Sequence, residues 1–142
     1  MIDPELVTRK ISLIMRDLDA LGPIAAKSRS AYLESRTEEV LAERYLERII
    51  GRMIDINYHL LTETGHPPPS DYHTSFSRLA EIHVLDREFA SRIARCAGLR
   101  NRIVHEYNDL DPSKVFDALQ DAMRDIPQYL QKVNEFVARG AE

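Results

Sequence analysis

Apolar residues recur at three- and four-residue steps through most of this chain, and that spacing predicts amphipathic helices. The three longest apolar stripes run from Leu6 to Leu21, from Val40 to Leu61 and from Val115 to Val137. Shorter stripes lie between the second and the third. No segment shows the alternation of apolar β-branched and polar residues that is typical of strands. The pattern therefore predicts an all-α fold, an up-and-down bundle of four to five helices.

Short polar residues mark where these helices should begin. The side chain of an N-cap residue accepts a hydrogen bond from a free N–H group in the first helical turn. The candidate N-caps are Asp3, Thr37, Asp86 and Asp111. From Asp86 one helix is expected to continue toward Val104. Ser70 to His73 is expected to form a turn that leads into a short helix from Thr74 to Ile82.

Glycine and proline mark where the helices should end. Gly22-Pro23 is expected to end the first helix, and the segment from Lys27 to Ser35 then forms either a separate helical turn or a continuation after a kink. Gly65 is a natural end for the second helix, because glycine adopts the left-handed backbone conformation without strain and three prolines follow it. Pro127 lies inside the last stripe and is expected to kink that helix.

The bulk composition excludes several classes of protein. The 142 residues are 44% hydrophobic and 30% charged, which predicts a single domain over residues 1–142 with its own core. No apolar run is long enough for a membrane span, and the N-terminus lacks the residue order of a signal peptide. The one cysteine, Cys96, excludes an intrachain disulfide and a Cys-rich zinc site. We expect a cytoplasmic protein with no membrane contact, no metal ion and no cofactor.

The charge balance does not indicate a general nucleic-acid coat. Nineteen basic residues stand against 23 acidic ones, a formal net charge of −4, whereas polyanion-binding proteins usually carry a basic excess. If RNA is the substrate, the positive field must be local and come from residues such as Arg95, Arg100 and Arg102. A basic partner or a second copy of the chain could also supply it.

The segment from Arg100 to Tyr107 carries the clearest chemical signal. Its sequence is Arg-Asn-Arg-Ile-Val-His-Glu-Tyr. Arginine is always charged and binds phosphate oxygens through its planar guanidinium. Histidine can transfer a proton near neutral pH. Arg100 and His105 together are the side chains that cleavage at a phosphodiester requires.

The pattern Arg-x4-His-x-Tyr in an all-helical chain of this size resembles the HEPN superfamily, and within it the HepT-like toxin ribonucleases. The resemblance extends from about Val40 to the last helix. It includes Asp55-Ile56-Asn57-Tyr58-His59, the proline-rich turn at Pro67–Ser70, the entry Gly98-Leu99-Arg100-Asn101 and the exit Asn108-Asp109-Leu110-Asp111-Pro112. The ordered set of motifs is far more specific than Arg-x4-His alone.

This resemblance implies a toxin endoribonuclease that cleaves RNA, such as tRNA or mRNA, without a metal ion. Arg100 and His105 are then the catalytic residues, with Asn101 and Arg102 in support. The resemblance also implies a partner, a nucleotidyltransferase antitoxin that attaches AMP to Tyr107 and so switches the toxin off. Tyr107 can accept AMP only if its hydroxyl reaches solvent.

Helix geometry leaves open how the motif assembles. Residues five apart on a regular helix differ by about 140° around its axis, so that Arg100 and His105 point in different directions, whereas Arg100 and Tyr107, seven apart, share a face. Either the helix breaks near Gly98 or unwinds near His105, or two copies of the chain meet and each site draws on both. The resemblance favours the second arrangement, a homodimer with a composite active site.

Two residues of the long second helix are a further candidate pair. Asp55 and His59 are four apart and share a helix face. Without a third ligand they are weak evidence for a metal site. We expect them instead to form a buried polar pair that orients the motif arginine.

Two other functions remain as alternatives. The chain could be a non-catalytic helical module that binds nucleotide or RNA and works with a nucleotidyltransferase, in which case Arg100 and His105 bind phosphate without cutting. It could also be a helical interaction protein with no nucleotide role, if the motif is buried. The complete motif, including Asn101 and Tyr107, favours the enzyme.

Overall fold

A computed structural model describes residues 1–140 of the chain, and these fold into seven α-helices, two 3-10 turns and no strand. The α-helices are α1 (Pro4–Ala25), α2 (Arg29–Leu33), α3 (Arg36–Thr62), α4 (Tyr72–Ser77), α5 (Arg87–Ile93), α6 (Arg95–His105) and α7 (Pro112–Ala138). The 3-10 turns are Arg78–Ala80 and Tyr107–Asp109. Four helices longer than ten residues, α1, α3, α6 and α7, build the bundle, which confirms the predicted all-α fold class.

Helices α1 and α3 run antiparallel. The backbone N–H of Asp3, at the start of α1, donates to Nε2 of His59, near the end of α3, at 2.9 Å. Further along α1, Lys10 Nζ pairs with Asp55 Oδ2 at 2.8 Å. The residue numbers therefore rise along one helix as they fall along the other, as an up-and-down bundle requires.

Helices α5 and α7 also run antiparallel. The Arg92 guanidinium pairs with the buried Asp125 carboxylate at 3.4 Å, and Arg139, beyond the end of α7, donates to the carbonyl of His83, which precedes α5, at 3.4 Å. The bundle encloses one continuous apolar core, to which every α-helix contributes. Among residues 1–140, no helix is both long and apolar enough to cross a membrane.

Three predicted N-caps are confirmed. The side chains of Asp3, Asp86 and Asp111 accept hydrogen bonds from backbone N–H groups in the first turns of α1, α5 and α7. The prediction for α3 is wrong by two residues, because Ser35 rather than Thr37 caps it. Ser35 Oγ accepts from the N–H of Glu38 at 3.3 Å, and Ser-x-x-Glu is the sequence of a capping box.

Helix α1 does not end at Gly22-Pro23 as predicted but continues to Ala25. A proline inside a helix removes the hydrogen bond to the carbonyl four residues earlier, which here belongs to Asp19 on the exposed face, where water can replace the lost donor. Ile24 is buried in the core, and Gln120 of α7 donates to the Ala25 carbonyl at 2.9 Å. These tertiary contacts hold the last turn in place, and α2 follows as a separate helix.

Two other helix boundaries differ from the prediction. The helix expected from Asp86 to Val104 is interrupted at Ala94, where the N–H of Ala97 bonds to the Ala94 carbonyl in a tighter 3-10 pattern. Helix α4 begins at Tyr72, inside the expected turn, because Asp71 caps it. One expectation agrees with the structure: Gly65 has a positive φ of 86° after the end of α3. Helix α7 runs through Pro127, and the kink expected there stays a prediction.

A buried chain of hydrogen bonds links α7, α3 and α4. The Tyr129 hydroxyl lies 2.5 Å from Asn57 Oδ1, Asn57 Nδ2 donates to Ser75 Oγ at 3.1 Å, and Ser75 Oγ donates to the Tyr72 carbonyl at 2.6 Å. Tyr129, Asn57 and Ser75 are fully buried. The Tyr129 hydroxyl also lies 3.1 Å from the Met53 carbonyl, so Asn57 is the member that joins α7 to α4 through α3.

Substituting the central member of this chain should destabilise the fold. Asn57→Ala removes one acceptor of the Tyr129 hydroxyl and the amide that donates to Ser75 Oγ, which leaves them the Met53 and Tyr72 carbonyls, and we expect the free energy of unfolding to fall by about 2 kcal/mol. Asn134→Ala, an exposed asparagine of α7, should change it by less than about 0.5 kcal/mol. Urea denaturation of both variants tests this. Equal stability of the two variants would contradict the stabilising role of the buried hydrogen bonds.

Candidate active site

Helix α6 presents Arg100 to the middle of α3. Gly51 of α3 has no side chain, and a Cβ built there would lie 3.7 Å from Arg100 Nε, in ordinary contact. The guanidinium carbon lies 5.3 Å from the centre of the Tyr72 ring, in a cation–π arrangement. Arg100 Nε is buried and has no hydrogen-bond partner in the described part of the chain. The arginine is thus held by packing and stacking, with its donors still available.

The carboxylates near Arg100 are engaged by other cations. Asp55 pairs with Lys10 at 2.8 Å, and Glu47 pairs with Arg44 at 3.3 Å. The buried Asp17 carboxylate takes both Arg48, at 3.1 Å, and Arg52, at 2.8 Å. Arg100 therefore faces an open space in which an anion would meet little competition from the protein.

This space is a groove along α3, formed by two adjoining hollows that share Gly51, Asp55 and Arg100. We refer to it as the α3 groove and define it by Arg44, Arg48, Gly51, Asp55, Tyr72 and Arg100. One hollow, of about 340 Å³, is bordered by Tyr58 and Tyr72, and the other is bordered by Arg44, Arg48 and Arg52.

His105 is the last residue of α6 and its side chain is exposed. The next residue, Glu106, leaves the helix with φ −129° and ψ 28°. Gly98 does not break α6, and the interruption at Ala94 precedes the motif, so Arg100 and His105 keep the separation of about 140° that a regular helix gives them. This separation on one helix favours an arrangement in which two copies of the chain share a site.

Tyr107 lies outside α6, in the 3-10 turn Tyr107–Asp109. The expectation that Tyr107 shares a helix face with Arg100 is wrong, because the helix ends two residues before the tyrosine. The Tyr107 side chain is 62% exposed, the most accessible tyrosine among residues 1–140. This exposure is compatible with the solvent access that modification would need.

Asn101 and Arg102 occupy different positions around α6. Asn101 is exposed and precedes His105 by four residues, on the same face. The Arg102 guanidinium lies over Gly98, on the side of α6 that faces α7, where Arg95 and Lys114 border the same hollow. The sequence grouped Arg95, Arg100 and Arg102 in one basic surface. The structure separates them, with Arg100 toward α3 and the other two toward α7.

The expected buried pair of Asp55 and His59 does not form. Asp55 is exposed and bonds to Lys10, and His59 accepts from the backbone of Asp3. Both side chains share the α3 face, but they tie α3 to α1 instead of orienting Arg100. Within the described residues, no three His, Cys, Asp or Glu side chains come together as metal ligands.

The sequence did not indicate the two tyrosines beside Arg100. Tyr72 lies in α4, and its ring meets that of Tyr58 edge-on, with centroids 6.3 Å apart. Burial raises the pKa of Tyr58, and the neighbouring Tyr72 and Asp71 add to the shift, so that its phenol stays protonated. Hydrogen bonds from the Thr74 side chain and backbone lower the pKa of Asp71, which caps α4 as a carboxylate.

Cys96 lies on the α7 side of α6. Burial, with a smaller effect from Asp125 and Asp121, raises the pKa of its thiol to about 12. The thiol therefore remains protonated near neutral pH and is a poor nucleophile. Cys96 packs against the core as a small apolar residue.

Comparison with known proteins places this chain in a family. The family model described as "Ribonuclease HepT-like" matches residues 14–133. A tRNA nuclease HepT of Aphanizomenon flos-aquae is 35% identical over 136 residues, which cover 96% of this chain and 92% of that protein. An mRNA nuclease HepT of Shewanella oneidensis is 22% identical over 129 residues, 91% of this chain and 96% of that protein. The chain belongs to the HepT-like ribonuclease family, and its enzyme class is endoribonuclease.

Solved structures show the same fold. A tri-AMPylated HEPN toxin of Shewanella oneidensis, in complex with an MNT antitoxin, superimposes with a TM-score of 0.84 at 22% identity and covers 94% of this chain and 99% of its own. A toxin–antitoxin structure with AMP-PNP gives a TM-score of 0.82 at 21% identity, with 92% and 99% covered. The predicted HEPN-like bundle is therefore confirmed.

The exposure of His105 makes it suitable for a clean functional test. His105→Ala should change the free energy of unfolding by less than about 0.5 kcal/mol, because the side chain is exposed and contributes nothing to the core. Urea denaturation followed by circular dichroism measures this. A loss above about 1 kcal/mol would mean that His105 has a structural role that its exposure does not reveal.

Proposed function

We propose that this chain is the cytoplasmic toxin of a toxin–antitoxin pair, an endoribonuclease that cleaves RNA such as tRNA or mRNA without a metal ion. The observation that carries the proposal is an exposed His105 on the same helix as an Arg100 guanidinium whose neighbouring carboxylates, Asp55 and Glu47, are engaged by other cations. The relatives named as HepT nucleases support the substrate class. The histidine and the arginine supply proton transfer and charge stabilisation, which are sufficient for this chemistry.

The proposed reaction uses the RNA as its own nucleophile. A base, His105, takes the proton of a ribose 2′-OH, and that oxygen forms a bond to the adjacent phosphorus while the bond from phosphorus to the 5′ oxygen breaks. The departing oxygen takes up a proton from a water molecule, which gives a 2′,3′-cyclic phosphate and a 5′-OH, and the protonated His105 returns its proton to solvent. Arg100 stabilises the charge that develops on the phosphate oxygens. DNA lacks the 2′-OH and is not cleaved.

Asn101 and Arg102 have supporting roles in this proposal. Asn101 shares a face with His105 and orients the imidazole ring. Arg102 lies toward α7, so it binds a phosphate of the RNA backbone away from the one that Arg100 contacts.

A composite site in a homodimer would bring Arg100 and His105 together despite their positions on α6. Arg100 and His105 point about 140° apart on one regular helix. Around a two-fold axis, the Arg100 of one copy can approach the His105 of the other. Each dimer then has two equivalent sites, and both copies contribute to each.

Cleavage without metal is the first test. In the presence of EDTA, wild type should cut total RNA or tRNA, and His105→Ala should lower the rate by about 10²- to 10⁴-fold, the usual contribution of a general base. Gel electrophoresis gives the rates, and 3′ ends that resist alkaline phosphatase until acid opens the ring identify the cyclic phosphate.

A second histidine provides the control for that test. His83→Asn changes another exposed histidine to a residue that accepts its positive φ of 64°, and it should cut at the wild-type rate. Wild-type activity in His105→Ala would contradict the mechanism. No cleavage by any of the three proteins, together with retained RNA binding, would favour a non-catalytic module that works with a nucleotidyltransferase.

Tyr107 is the proposed site at which a nucleotidyltransferase antitoxin neutralises the toxin. The phenolic oxygen forms a bond to the α-phosphorus of ATP, loses its proton and releases pyrophosphate, which leaves AMP on the tyrosine. The added phosphate brings negative charge two residues from His105 and repels the RNA backbone. The exposure of Tyr107 and its place directly after α6 support this role.

Mass spectrometry tests the modification. After incubation with the antitoxin and ATP, wild type should gain adenylate and lose RNA cleavage, whereas Tyr107→Phe should gain none and continue to cut. Tyr72→Phe, the other exposed tyrosine, should be modified like wild type. Adenylate on Tyr107→Phe would place the acceptor elsewhere.

A further inference from the structure

The α3 groove combines two features that lie on opposite sides of Arg100. On one side, Arg44, Arg48 and Arg52 follow one another at four-residue steps along α3 and border the same hollow as Arg100. On the other side, Tyr58 and Tyr72 border the second hollow, whose floor is Gly51 and Ile54. Basic and aromatic side chains are thus continuous with a residue of the proposed site.

The basic side of the groove has cationic capacity left over. Arg48 and Arg52 share a single carboxylate, Asp17, which is buried and offers only one charge to both. Arg44 is 64% exposed, and its one partner, Glu47, lies one turn away on the same helix. Exposed ion pairs of this kind are weak and exchange readily with another anion. This local excess contrasts with the net charge of −4 of the whole chain.

The aromatic side of the groove has the size and chemistry for a base. Tyr72 is 40% exposed, and its ring is already in contact with the Arg100 guanidinium. The hollow of about 340 Å³ has an apolar floor and the Asp55 carboxylate at its margin. Aromatic rings beside a positively charged track are the means by which proteins bind single-stranded nucleic acid.

We propose that the α3 groove binds a single-stranded segment of the RNA substrate, with backbone phosphates on Arg44 and Arg48 and one base against Tyr72 and Tyr58. The proposal rests on the proposed ribonuclease function and extends it, because it gives the direction in which the strand leaves Arg100. Asp55, at the margin, can accept hydrogen bonds from the amino or imino groups of the base. A base-paired segment would not fit, since its bases are stacked within the helix.

The charge of the groove favours RNA over a second copy of this chain as its occupant. In the proposed dimer the second copy brings His105 to Arg100, and if the two-fold axis also passed through the groove, Arg44 and Arg48 of one copy would face the same arginines of the other. Like charges brought together in this way are unfavourable. The phosphate backbone instead complements them.

Removal of the phosphate contacts gives the first measurement. The probe is a fluorescein-labelled, fully 2′-O-methylated single-stranded RNA, which cannot be cleaved, and its anisotropy is recorded at several salt concentrations. The double variant Arg44→Gln/Arg48→Gln should weaken binding by about ten-fold or more. The slope of log K against log salt should fall by about 1.4, about 0.7 for each of two phosphates.

A matched charge change provides the control. Arg9→Gln/Arg16→Gln removes two exposed arginines of α1, so the net charge changes equally. It should leave the salt slope of wild type unchanged. Equal effects of the two double variants would overturn the proposal, because they would indicate a nonspecific field.

A base-deletion cycle tests the aromatic hollow. Tyr72→Leu should weaken binding of the intact strand by about 5- to 100-fold, the usual range for loss of one stacked base. Wild type and Tyr72→Leu are then compared on oligonucleotides that each lack one base. When the missing base is the one that occupies the hollow, the two proteins should bind with equal affinity. The abasic comparison also removes any indirect effect through Arg100. If Tyr72→Leu weakens binding by the same factor whichever base is missing, the assignment of a base to the hollow is wrong.

The outcomes separate this proposal from the proposed function. Wild-type cleavage together with unaltered binding in the groove variants overturns the groove and leaves the ribonuclease intact. No binding of RNA by wild type overturns both. If the Arg44→Gln/Arg48→Gln variant changes the sedimentation coefficient and not the RNA affinity, the groove is a contact between copies, and the RNA proposal is wrong.

Discussion

The buried hydrogen-bond chain from Tyr129 through Asn57 and Ser75 to the Tyr72 carbonyl is the constraint on which the candidate site depends. Helix α4 has six residues, too few to be stable alone, and this chain attaches it to α3 and α7. Each donor in this series of hydrogen bonds points to the next acceptor, and the side chains are buried. The hydrogen bonds therefore allow one arrangement of α3, α4 and α7. That arrangement places the Tyr72 ring next to the Arg100 guanidinium.

The consequence for function is that the two key side chains differ in freedom. Arg100 is fixed between Gly51 and Tyr72, whereas His105 and Tyr107 stand exposed where α6 ends. A fixed arginine suits the binding of a phosphate in one position. An exposed histidine and tyrosine suit proton exchange and access by a modifying enzyme. The same helix therefore supplies a rigid and an accessible part of the candidate site, and we propose that a second copy brings them together.

Local interactions were predictable from the sequence, and contacts between distant segments were not. The caps Asp3, Asp86 and Asp111 act within three residues, so the fold class and most helix starts followed from the pattern. The interruption at Ala94 could not be predicted from the sequence, because apolar residues on both sides of it continue at helical spacing. Tyr72 lies far from Arg100 in sequence and was assigned to a turn, so its contact with the arginine could not be inferred. The Ser35 capping box was a local signal that the sequence analysis missed.

A complementation experiment tests the composite site most directly. Arg100→Gln and His105→Ala chains are co-expressed with different affinity tags, and dimers that carry both tags are purified. If each site takes its arginine from one copy and its histidine from the other, every mixed dimer keeps one intact site of two and should cleave at about half the wild-type rate. Dimers that carry one variant only should be inactive. Inactive mixed dimers would contradict the composite site. They would mean that each active site takes both Arg100 and His105 from a single chain.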